Sequence, residues 1–180
     1  MMSRRNFLKA TIASLCAYQL GSLRTVFASI GLESTTERVL KLYNIHTGER
    51  LSTCYLAGGH YIQEEVNRIS HFLRCHYTNV VKPISIQVID LLWEIKNCFA
   101  GSMEINIISG YRSPEYNHHL RSLGRHVAED SLHLDGLAID FTIPGIRIEK
   151  LAKAAVQLQA GGVGLYRTFV HIDVGRVRHW

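Results

Sequence analysis

The sequence predicts an α+β domain in which helices flank a small, mostly antiparallel sheet. Two observations support this class. Short segments that alternate polar and apolar residues indicate half-buried strands, and longer segments with apolar residues three and four positions apart indicate amphipathic helices. The two kinds of segment are interspersed along 180 residues, a length that suits one domain, and no internal repeat occurs.

The first half of this domain is predicted to be a hairpin followed by two helices. Its strands are 38–44 (RVLKLYN) and 50–56, and its helices are 61–75 and 85–99. A turn at 46–48, which ends in Gly48, joins the two strands, and the pair Gly58 and Gly59 ends the second one. Ser85 is a good N-cap for the second helix because its hydroxyl can accept a backbone N–H bond.

The second half is predicted to alternate between short strands and helices. The strands are 104–109 (EINIIS), 136–142 (GLAIDFT), 163–166 and 169–174, and the helices are 114–122 and 147–158. Pro114 suits the first position of its helix because proline lacks the N–H that would be unpaired there. The polar segment 121–130 is predicted to be a loop.

The first 28 residues have the organisation of an export signal. Arg4 and Arg5 lie in a charged start, residues 10–20 are mostly apolar, and Ala28 offers a small residue for cleavage. The run SRRNFLK at 3–9 matches the twin-arginine export consensus. We therefore expect residues 1–28 to be a twin-arginine signal and residues 29–180 to be one exported domain. An N-terminal helix packed on the domain is the alternative, and Leu15 disfavours lipidation of Cys16.

The positive charge of the chain is concentrated in that first segment. The whole sequence has a formal charge of +5, and residues 1–28 hold four of its 20 basic residues and none of its 15 acidic residues. The remainder therefore carries about +1, without the clustered basic surface that nucleic-acid binding requires. No apolar run reaches the length of about eighteen residues that a membrane span needs. The sequence thus predicts neither a nucleic-acid partner nor a stable membrane span.

Three cysteines, Cys54, Cys75 and Cys98, follow the predicted signal. An odd number leaves at least one thiol free, and their wide spacing disfavours a cysteine zinc site. We expect small buried apolar side chains, with a bridge between Cys75 and Cys98 as the alternative in an oxidising compartment.

Histidine and aspartate residues concentrate in two segments near the end of the sequence. His133 and Asp140 lie in SLHLDGLAID (131–140), and His171 and Asp173 lie in FVHID (169–173). Residues two apart in a strand face the same side, so His171 and Asp173 are predicted to point together. Two imidazoles and one carboxylate suit a catalytic zinc, although ordinary buried histidines show similar spacings. Surface or helix-face positions are expected for His46, His60, His71, His76, His118, His119 and His126.

Several motifs resemble, in the same order, those of one peptidase family. Residues 131–140 match the SxHxxGxAxD signature of the zinc D-Ala-D-Ala carboxypeptidase family, and residues 109–113 match its SGYRS element. Residues 169–173 match the strand that carries its third ligand. NIHTGE (44–49), GGVG (161–164) and RHW (178–180) extend the likeness to the murein endopeptidase K subfamily. The resemblance covers essentially all of the chain after residue 28.

The resemblance implies a Hedgehog/D,D-peptidase-like fold with bound Zn²⁺ in an exported, periplasmic protein. Its zinc ligands would be His133, Asp140 and His171. Arg112 would bind the substrate carbonyl or carboxylate and stabilise the oxyanion with its forked donors. Asp173 would hold a ligand or an arginine side chain in place.

The general base departs from the family pattern. Carboxypeptidase relatives place a glutamate or histidine a few residues before the third ligand, where this chain has Thr168 and Phe169. His179 is the first candidate for the base because an imidazole titrates near neutral pH, and Asp173 is the second. An exposed position with no part in the reaction is the alternative for His179.

The function implied is hydrolysis of peptide cross-links in peptidoglycan by a zinc metallopeptidase, a murein endopeptidase. Its partners would be stem peptides and their meso-diaminopimelate cross-links, and the choice between D,D and L,D bonds stays open. A carboxypeptidase that trims stem peptides is the second hypothesis. A cleft closed at one end favours the carboxypeptidase, and an open groove favours the endopeptidase. A non-catalytic zinc or wall-binding module is the third hypothesis.

Overall fold

A mixed sheet of eight strands organises the residues that the structure, a computed structural model, describes: 37–101, 103–125 and 127–180. Four α-helices and one short 3₁₀ helix accompany the sheet in these ranges. The strands are β1 (Arg38–Asn44), β2 (Arg50–Ala57), β3 (His60–Tyr61), β4 (Glu104–Ser109), β5 (Ala138–Thr142), β6 (Gly162–Leu165), β7 (Val170–Asp173) and β8 (Arg178–His179). The helices are α1 (Gln63–Phe72), α2 (Ile86–Asn97), α3 (Pro114–Ser122) and α4 (Ile148–Leu158), and the 3₁₀ helix is Leu132–Asp135.

The strand order is β3-β2-β1-β4-β5-β7-β6-β8, and the sheet is mixed rather than mostly antiparallel. β1 runs parallel to β4, and β6 runs parallel to β8, whereas the other neighbouring pairs are antiparallel. The predicted α+β class is therefore right, but the predicted sheet was too small and too uniform. Parallel neighbours need a connection that returns to the starting edge, and α1 and α2 provide it between β1 and β4.

One apolar core joins the sheet to the longer helices. Leu40 and Leu42 of β1 lie in it with Ile105 and Ile107 of β4, and Val88, Ile89, Leu92 and Ile95 of α2 and Leu151 and Ala155 of α4 complete its central part. Strand residues alternate between this core and the other face, as the period of two in the sequence predicts. The core holds the strands β4, β5 and β7, which carry the polar residues described below, in a fixed register.

Most predicted elements have nearly the predicted bounds. β1, β4 and α3 have the predicted limits, and the Ser85 hydroxyl caps α2 by accepting a bond from the Gln87 N–H. Helix α1 is shorter than predicted because Tyr61 pairs with β2 as part of β3. The two-residue strands β3 and β8 were not predicted, since two residues are too few to show a period.

The three cysteines among the described residues form no bridge. Cys54, Cys75 and Cys98 are free thiols, so the alternative of a Cys75–Cys98 disulfide is wrong. Cys75 is buried in the core beside α1, whereas Cys98 is exposed at the end of α2.

The division into an export signal and an exported domain stays a prediction, because residues 1–28 lie outside the described ranges. Among the helices that the structure describes, none combines the length and apolar character needed to cross a bilayer.

Candidate metal centre

Three buried side chains, from β5, β7 and the 3₁₀ helix, converge at one point. One ligand atom each from His133, Asp140 and His171 lies within 4.8 Å of the other two. The side chains are nearly inaccessible, with 2% of His133, 5% of Asp140 and 8% of His171 exposed. Among the described residues, this is the one cluster of His, Cys, Asp and Glu with the spacing of a metal site.

The strand register brings Asp140 and His171 together. β5 and β7 are antiparallel, and Asp140 lies directly opposite His171. Directly opposed residues in an antiparallel pair present their side chains on the same face of the sheet. The Oδ1 atom of Asp140 is 2.8 Å from Nδ1 of His171. The sequence predicted both residues, but only the pairing of the strands explains their contact.

The 3₁₀ helix supplies His133, just before the strand that the sequence predicts at 136–142. The turn ends at Gly136, whose φ of 67° lies in the left-handed region that favours glycine. A side chain at Gly136 would also collide with the Pro83 carbonyl, 2.4 Å from a Cβ at that position. The Ser85 N–H donates to the Gly136 carbonyl at 2.9 Å. These contacts fix the turn against the segment before α2 and set the position of His133.

Hydrogen bonding determines which nitrogen of His133 faces the cluster. Nδ1 of His133 lies 2.7 Å from the Gly110 carbonyl, to which it donates. Its Nε2 lies 3.2 Å from both Nδ1 of His171 and Oδ1 of Asp140. The Gly110 carbonyl therefore leaves the lone pair of Nε2 directed at the other two ligand atoms.

Asp173 orients His171 in the same manner. Nε2 of His171 donates to Oδ2 of Asp173 at 3.2 Å, so Nδ1 is the nitrogen that faces Asp140. Asp173 is fully buried, and it accepts further bonds from the Gly162 and Gly175 amides and from the Arg178 guanidinium. Burial opposes its ionisation, but these bonds hold the pKa of Asp173 well below its usual range. A carboxylate with this many hydrogen bonds is suited to positioning His171 and poorly suited to accepting a proton.

The local charges favour an anionic Asp140. Burial opposes ionisation, yet the charges and hydrogen bonds of His133 and His171 outweigh it and hold the pKa of Asp140 well below the usual range. Burial also disfavours protonation of His171, but its bonds to Asp140 and Asp173 raise the pKa of His171. Metal binding at such a site releases protons, because imidazole ligands must be neutral.

The donor set fits a zinc ion. Two imidazole nitrogens and one carboxylate oxygen converge, and each imidazole has its second nitrogen held by an acceptor. Three protein ligands of this kind leave one coordination position open, which is typical of catalytic rather than structural zinc. The outer acceptors, the Gly110 carbonyl and Asp173, fix the tautomers that ligation needs.

Arg112 lies beside this cluster and is 7% exposed. Its Nη2 atom is 3.6 Å from Oδ2 of Asp140, and its Nη1 atom donates to Asn117 at 3.3 Å and lies 3.5 Å from the Ser131 hydroxyl. Its buried Nε has no partner among the described residues. Burial lowers the pKa of Arg112, although Asp140 opposes this effect. A guanidinium titrates so far above neutral pH that it stays charged here.

The structure does not bring His179 to the cluster. His179 lies on β8 between Arg178 and Trp180, and strand alternation directs its side chain away from theirs. It is exposed and lines a separate groove with Glu149 of α4, which Trp180 also borders, but unlike Arg178 and Trp180 it does not line the cavity at the cluster. The prediction of His179 as general base therefore lacks geometric support.

Two adjoining cavities form the cleft around the cluster. The cavity at the three ligands has a volume of about 170 Å³, and a more apolar one of about 590 Å³ continues from it toward His46 and His76. Tyr166 and Phe169, whose rings stack 4.5 Å apart, line both cavities, as do Arg112 and Asp140. Sequence reasoning missed Tyr166 and the His46–His76 wall, since neither lies in a motif with metal-ligand spacing.

Comparison with known proteins agrees with this geometry. The model of the family described as peptidoglycan L,D-endopeptidase MepK matches residues 33–180. The chain belongs to this family. The MepK protein of Escherichia coli K12 is 41% identical over 151 residues, which are 83% of each chain. The probable MepK of Haemophilus influenzae is 36% identical over 146 residues, 79% of this chain and 78% of that protein. The family predicted from the SxHxxGxAxD and SGYRS motifs is thus confirmed.

Membership of the MepK family also makes this chain a peptidase by descent. The His133, Asp140 and His171 cluster lies within the matched residues, as do Arg112 and Asp173. The cluster therefore lies in the part of the chain that the peptidase family model matches.

Proposed function

We propose that this protein is a zinc metallopeptidase that hydrolyses L,D peptide bonds in the cross-links of peptidoglycan. The observation that carries the proposal is the convergence of His133, Asp140 and His171 at a cleft that continues past them. The MepK relatives support the substrate and the bond, since their names specify peptidoglycan and the L,D linkage.

The zinc ion would be held by Nε2 of His133, Oδ1 of Asp140 and Nδ1 of His171. When bound there, zinc would polarise the scissile carbonyl and lower the pKa of water. The protein supplies a buried, preorganised set of donors for it. Burial strengthens the electrostatic interactions at this point because little water screens them.

Arg112 is proposed to bind the carbonyl oxygen on which negative charge develops. Its guanidinium lines the ligand cavity, and Asn117 and Ser131 limit its movement through Nη1. Its ion pair with Oδ2 of Asp140 keeps the charge beside the metal ligands. A fixed cation aimed at developing charge is the arrangement that stabilises an oxyanion.

Asp173 is proposed to act on the reaction through His171 rather than on the substrate. The two backbone amides and Arg178 that bind Asp173 fix its carboxylate, and the carboxylate in turn fixes the ring of His171. An outer carboxylate of this kind orients the ligand and raises its basicity.

The shape of the cleft favours an endopeptidase over a carboxypeptidase. An endopeptidase must accommodate a peptide chain on both sides of the cut bond. Arg178 and Trp180 line the cavity at the three ligands, and His46 and His76 line the larger cavity that adjoins it. A substrate with two peptide arms fits such a groove better than a short stem peptide with a free end.

Export by the twin-arginine route to the periplasm is part of the same proposal. Residues 1–28 have the features of that signal, and cross-linked peptidoglycan lies outside the cytoplasm. We also propose that the α+β fold is of the Hedgehog/D,D-peptidase type, which the motif resemblance supports.

Defined muropeptides test the function directly. Purified protein with one equivalent of zinc is incubated with L,D-cross-linked dimers, D,D-cross-linked dimers and uncross-linked stem peptides, and the products are identified by mass. We expect monomers from the L,D dimers alone, and loss of this product when a chelator is added. Release of a terminal residue from stem peptides would show a carboxypeptidase instead. Bound zinc without any product would favour the wall-binding module.

A further inference from the structure

Trp180 borders the cavity at the three ligands, and it has been assigned no catalytic or metal-binding role. Its indole ring is 5.5 Å from the ring of His171, the third ligand, and it lines the 170 Å³ cavity. Half of its surface is nevertheless accessible, with 50% exposed. A large aromatic side chain that borders a buried polar site and remains exposed is available to contact a ligand.

The backbone of Trp180 is fixed by strand-like hydrogen bonds to β6. The Trp180 N–H donates to the Val163 carbonyl at 3.2 Å, and the Leu165 N–H donates to the Trp180 carbonyl at 2.9 Å. These bonds continue the parallel pairing of β6 with β8. The position of the residue is therefore set by the sheet rather than by the contacts of its side chain.

The indole ring contacts three neighbouring residues. Its Nε1–H donates to the Tyr166 hydroxyl at 3.3 Å, and the Arg178 guanidinium lies 5.0 Å from the ring centroid. Gly164 makes room for it: a Cβ at Gly164 would lie 2.8 Å from two atoms of the indole and 2.9 Å from the Tyr166 ring. Gly164 of the GGVG motif thus allows the rings of Trp180 and Tyr166 to pack on the backbone of β6, next to the strand β7 that carries His171.

We propose that Trp180 is a substrate-binding residue, which packs against the peptide arm that enters the cleft beside Arg178. This inference rests on the proposed function. A rigid indole offers a large contact area to aliphatic and amide groups and loses little conformational freedom on binding. Trp180 and Tyr166 form one aromatic wall, and Arg112 lies at the same cavity, so the peptide would pass between this wall and the loop at 127–132.

A purely structural role, in which Trp180 only covers His171, makes a different prediction. Removing a cover would loosen the third ligand and weaken zinc binding. Removing a substrate contact would leave zinc binding unchanged and raise KM. The two roles can therefore be separated by measuring zinc affinity and steady-state kinetics on the same variants.

The kinetic test uses Trp180→Ala and Gly164→Ala, with Val177→Ala as the matched control. Val177 is an exposed apolar residue in the turn before β8 that lines neither cavity. We expect KM for the L,D-cross-linked dimer to rise about tenfold in Trp180→Ala, with kcat changed less than KM. Gly164→Ala should raise KM as well, because its new methyl group displaces the indole without removing it. Val177→Ala should behave as the unaltered protein.

A binding measurement provides a readout that does not depend on turnover. The chain has two tryptophans, so Trp93→Phe leaves Trp180 as the sole indole reporter. Chelator-treated Trp93→Phe protein is titrated with the L,D-cross-linked dimer, and emission is compared with binding heat from calorimetry. We expect emission to change with the same midpoint as the heat. Binding heat without any change in emission would contradict the proposal.

The outcomes distinguish this inference from the function on which it rests. Failure of the unaltered protein to cleave the dimer would overturn both. Normal cleavage with unchanged KM in Trp180→Ala and Gly164→Ala would overturn only the role of Trp180. A weaker zinc affinity in both variants, with KM unchanged, would assign Trp180 a structural role instead.

Discussion

Two pairs of histidines lie close to Arg112, and they differ in ring geometry and in their hydrogen-bond partners. The rings of His133 and His171 meet edge to face with centroids 5.0 Å apart. The rings of His46 and His76 stack nearly parallel at 3.9 Å on the opposite part of the cleft. The first pair contributes nitrogen atoms to the cluster that has the spacing of a metal site, whereas the second lines the wall of the larger cavity.

Carboxylates account for the difference. Asp140 and Asp173 accept hydrogen bonds from His171 and raise its pKa. His76 has a phenol as its hydrogen-bond partner, since its Nε2 lies 3.2 Å from the Tyr116 hydroxyl. Burial, together with the charges of His46 and Arg112, lowers the pKa of His76 to about 4. The neighbouring carboxylates thus favour positive charge at His171, whereas burial without a carboxylate partner favours neutral His76.

Removing the shared carboxylate should have the largest effect. In Asp140→Asn the cluster loses its only anionic ligand and the two imidazoles lose their common partner. We expect zinc affinity to fall by more than about a hundredfold, beyond what loss of an outer partner causes, and activity to fall below detection. Isothermal calorimetry with zinc and dimer cleavage measure the two effects.

Asp90→Asn is the matched control for that change. Asp90 also accepts several bonds, from the hydroxyls of Tyr55 and Tyr61 and from Arg38, but it lies on α2 away from the cleft. We expect this variant to lose stability and to keep its zinc affinity. Equal zinc affinity in Asp140→Asn and the unaltered protein would refute the ligand assignment.

Replacing Asp173, the carboxylate behind His171, should lower zinc affinity less than replacing Asp140. Asp173→Asn keeps the shape of the side chain but lets an amide, rather than a carboxylate, face Nε2 of His171. We expect zinc affinity to fall about 10- to 100-fold, as is usual when an outer partner of a ligand is changed. Asp135→Asn, an exposed carboxylate in the same region that pairs with Lys82, should leave zinc affinity unaltered. A normal zinc affinity in Asp173→Asn would contradict the proposal that the Asp173 carboxylate positions His171.

The sequence predicted the contact between His171 and Asp173 because both residues lie in one short alternating segment. The alternation in FVHID placed His171 and Asp173 on one side of a strand, and the contact of 3.2 Å between them confirms it. The 3₁₀ turn that carries His133 could not be predicted in the same way. It depends on the docking of Gly136 against the Pro83 carbonyl, a contact between segments about fifty residues apart.

The second pair was beyond sequence reasoning for a related reason. His46 lies in the β1–β2 turn and His76 follows α1, and only the packing of these elements stacks the rings. The prediction for His179 did not anticipate strand β8, whose alternation turns His179 away while Trp180 faces the cleft. Two-residue strands have no readable period, so the facing of their side chains is known only from the fold.

The lowered pKa of His76 predicts a specific dependence of stability on pH. The folded protein holds the pKa of His76 at about 4, whereas an unfolded histidine has a pKa of about 6.5. The unfolded state therefore binds a proton first as the pH falls. The stability that neutral His76 contributes is complete above pH 6.5 and is lost progressively between about 6.5 and 4.

Thermal unfolding of the unaltered protein and of His76→Phe measures this effect. Phenylalanine keeps a flat ring against His46 and Tyr116 and cannot be protonated. We expect the difference in Tm between pH 7 and pH 4.5 to shrink by a few degrees in the variant. The other groups that titrate in this range are present in both proteins. An identical pH dependence of the two proteins would show that His76 is not held neutral.

His179 should give the smallest effect of all. Its side chain lies with Glu149 in the groove beside α4, so neither its charge nor its proton reaches the three ligands. A general base contributes about 10²- to 10⁴-fold to the rate, so its loss would lower kcat by a similar factor. We expect His179→Ala to change kcat for the L,D dimer by less than about twofold. A loss of a hundredfold or more, with zinc affinity intact, would restore His179 as the base and would require β8 to turn its other face to the cleft. Measurements of kcat and zinc affinity on His179→Ala therefore determine whether His179 takes part in the reaction with His133 and His171 or, like His46 and His76, does not.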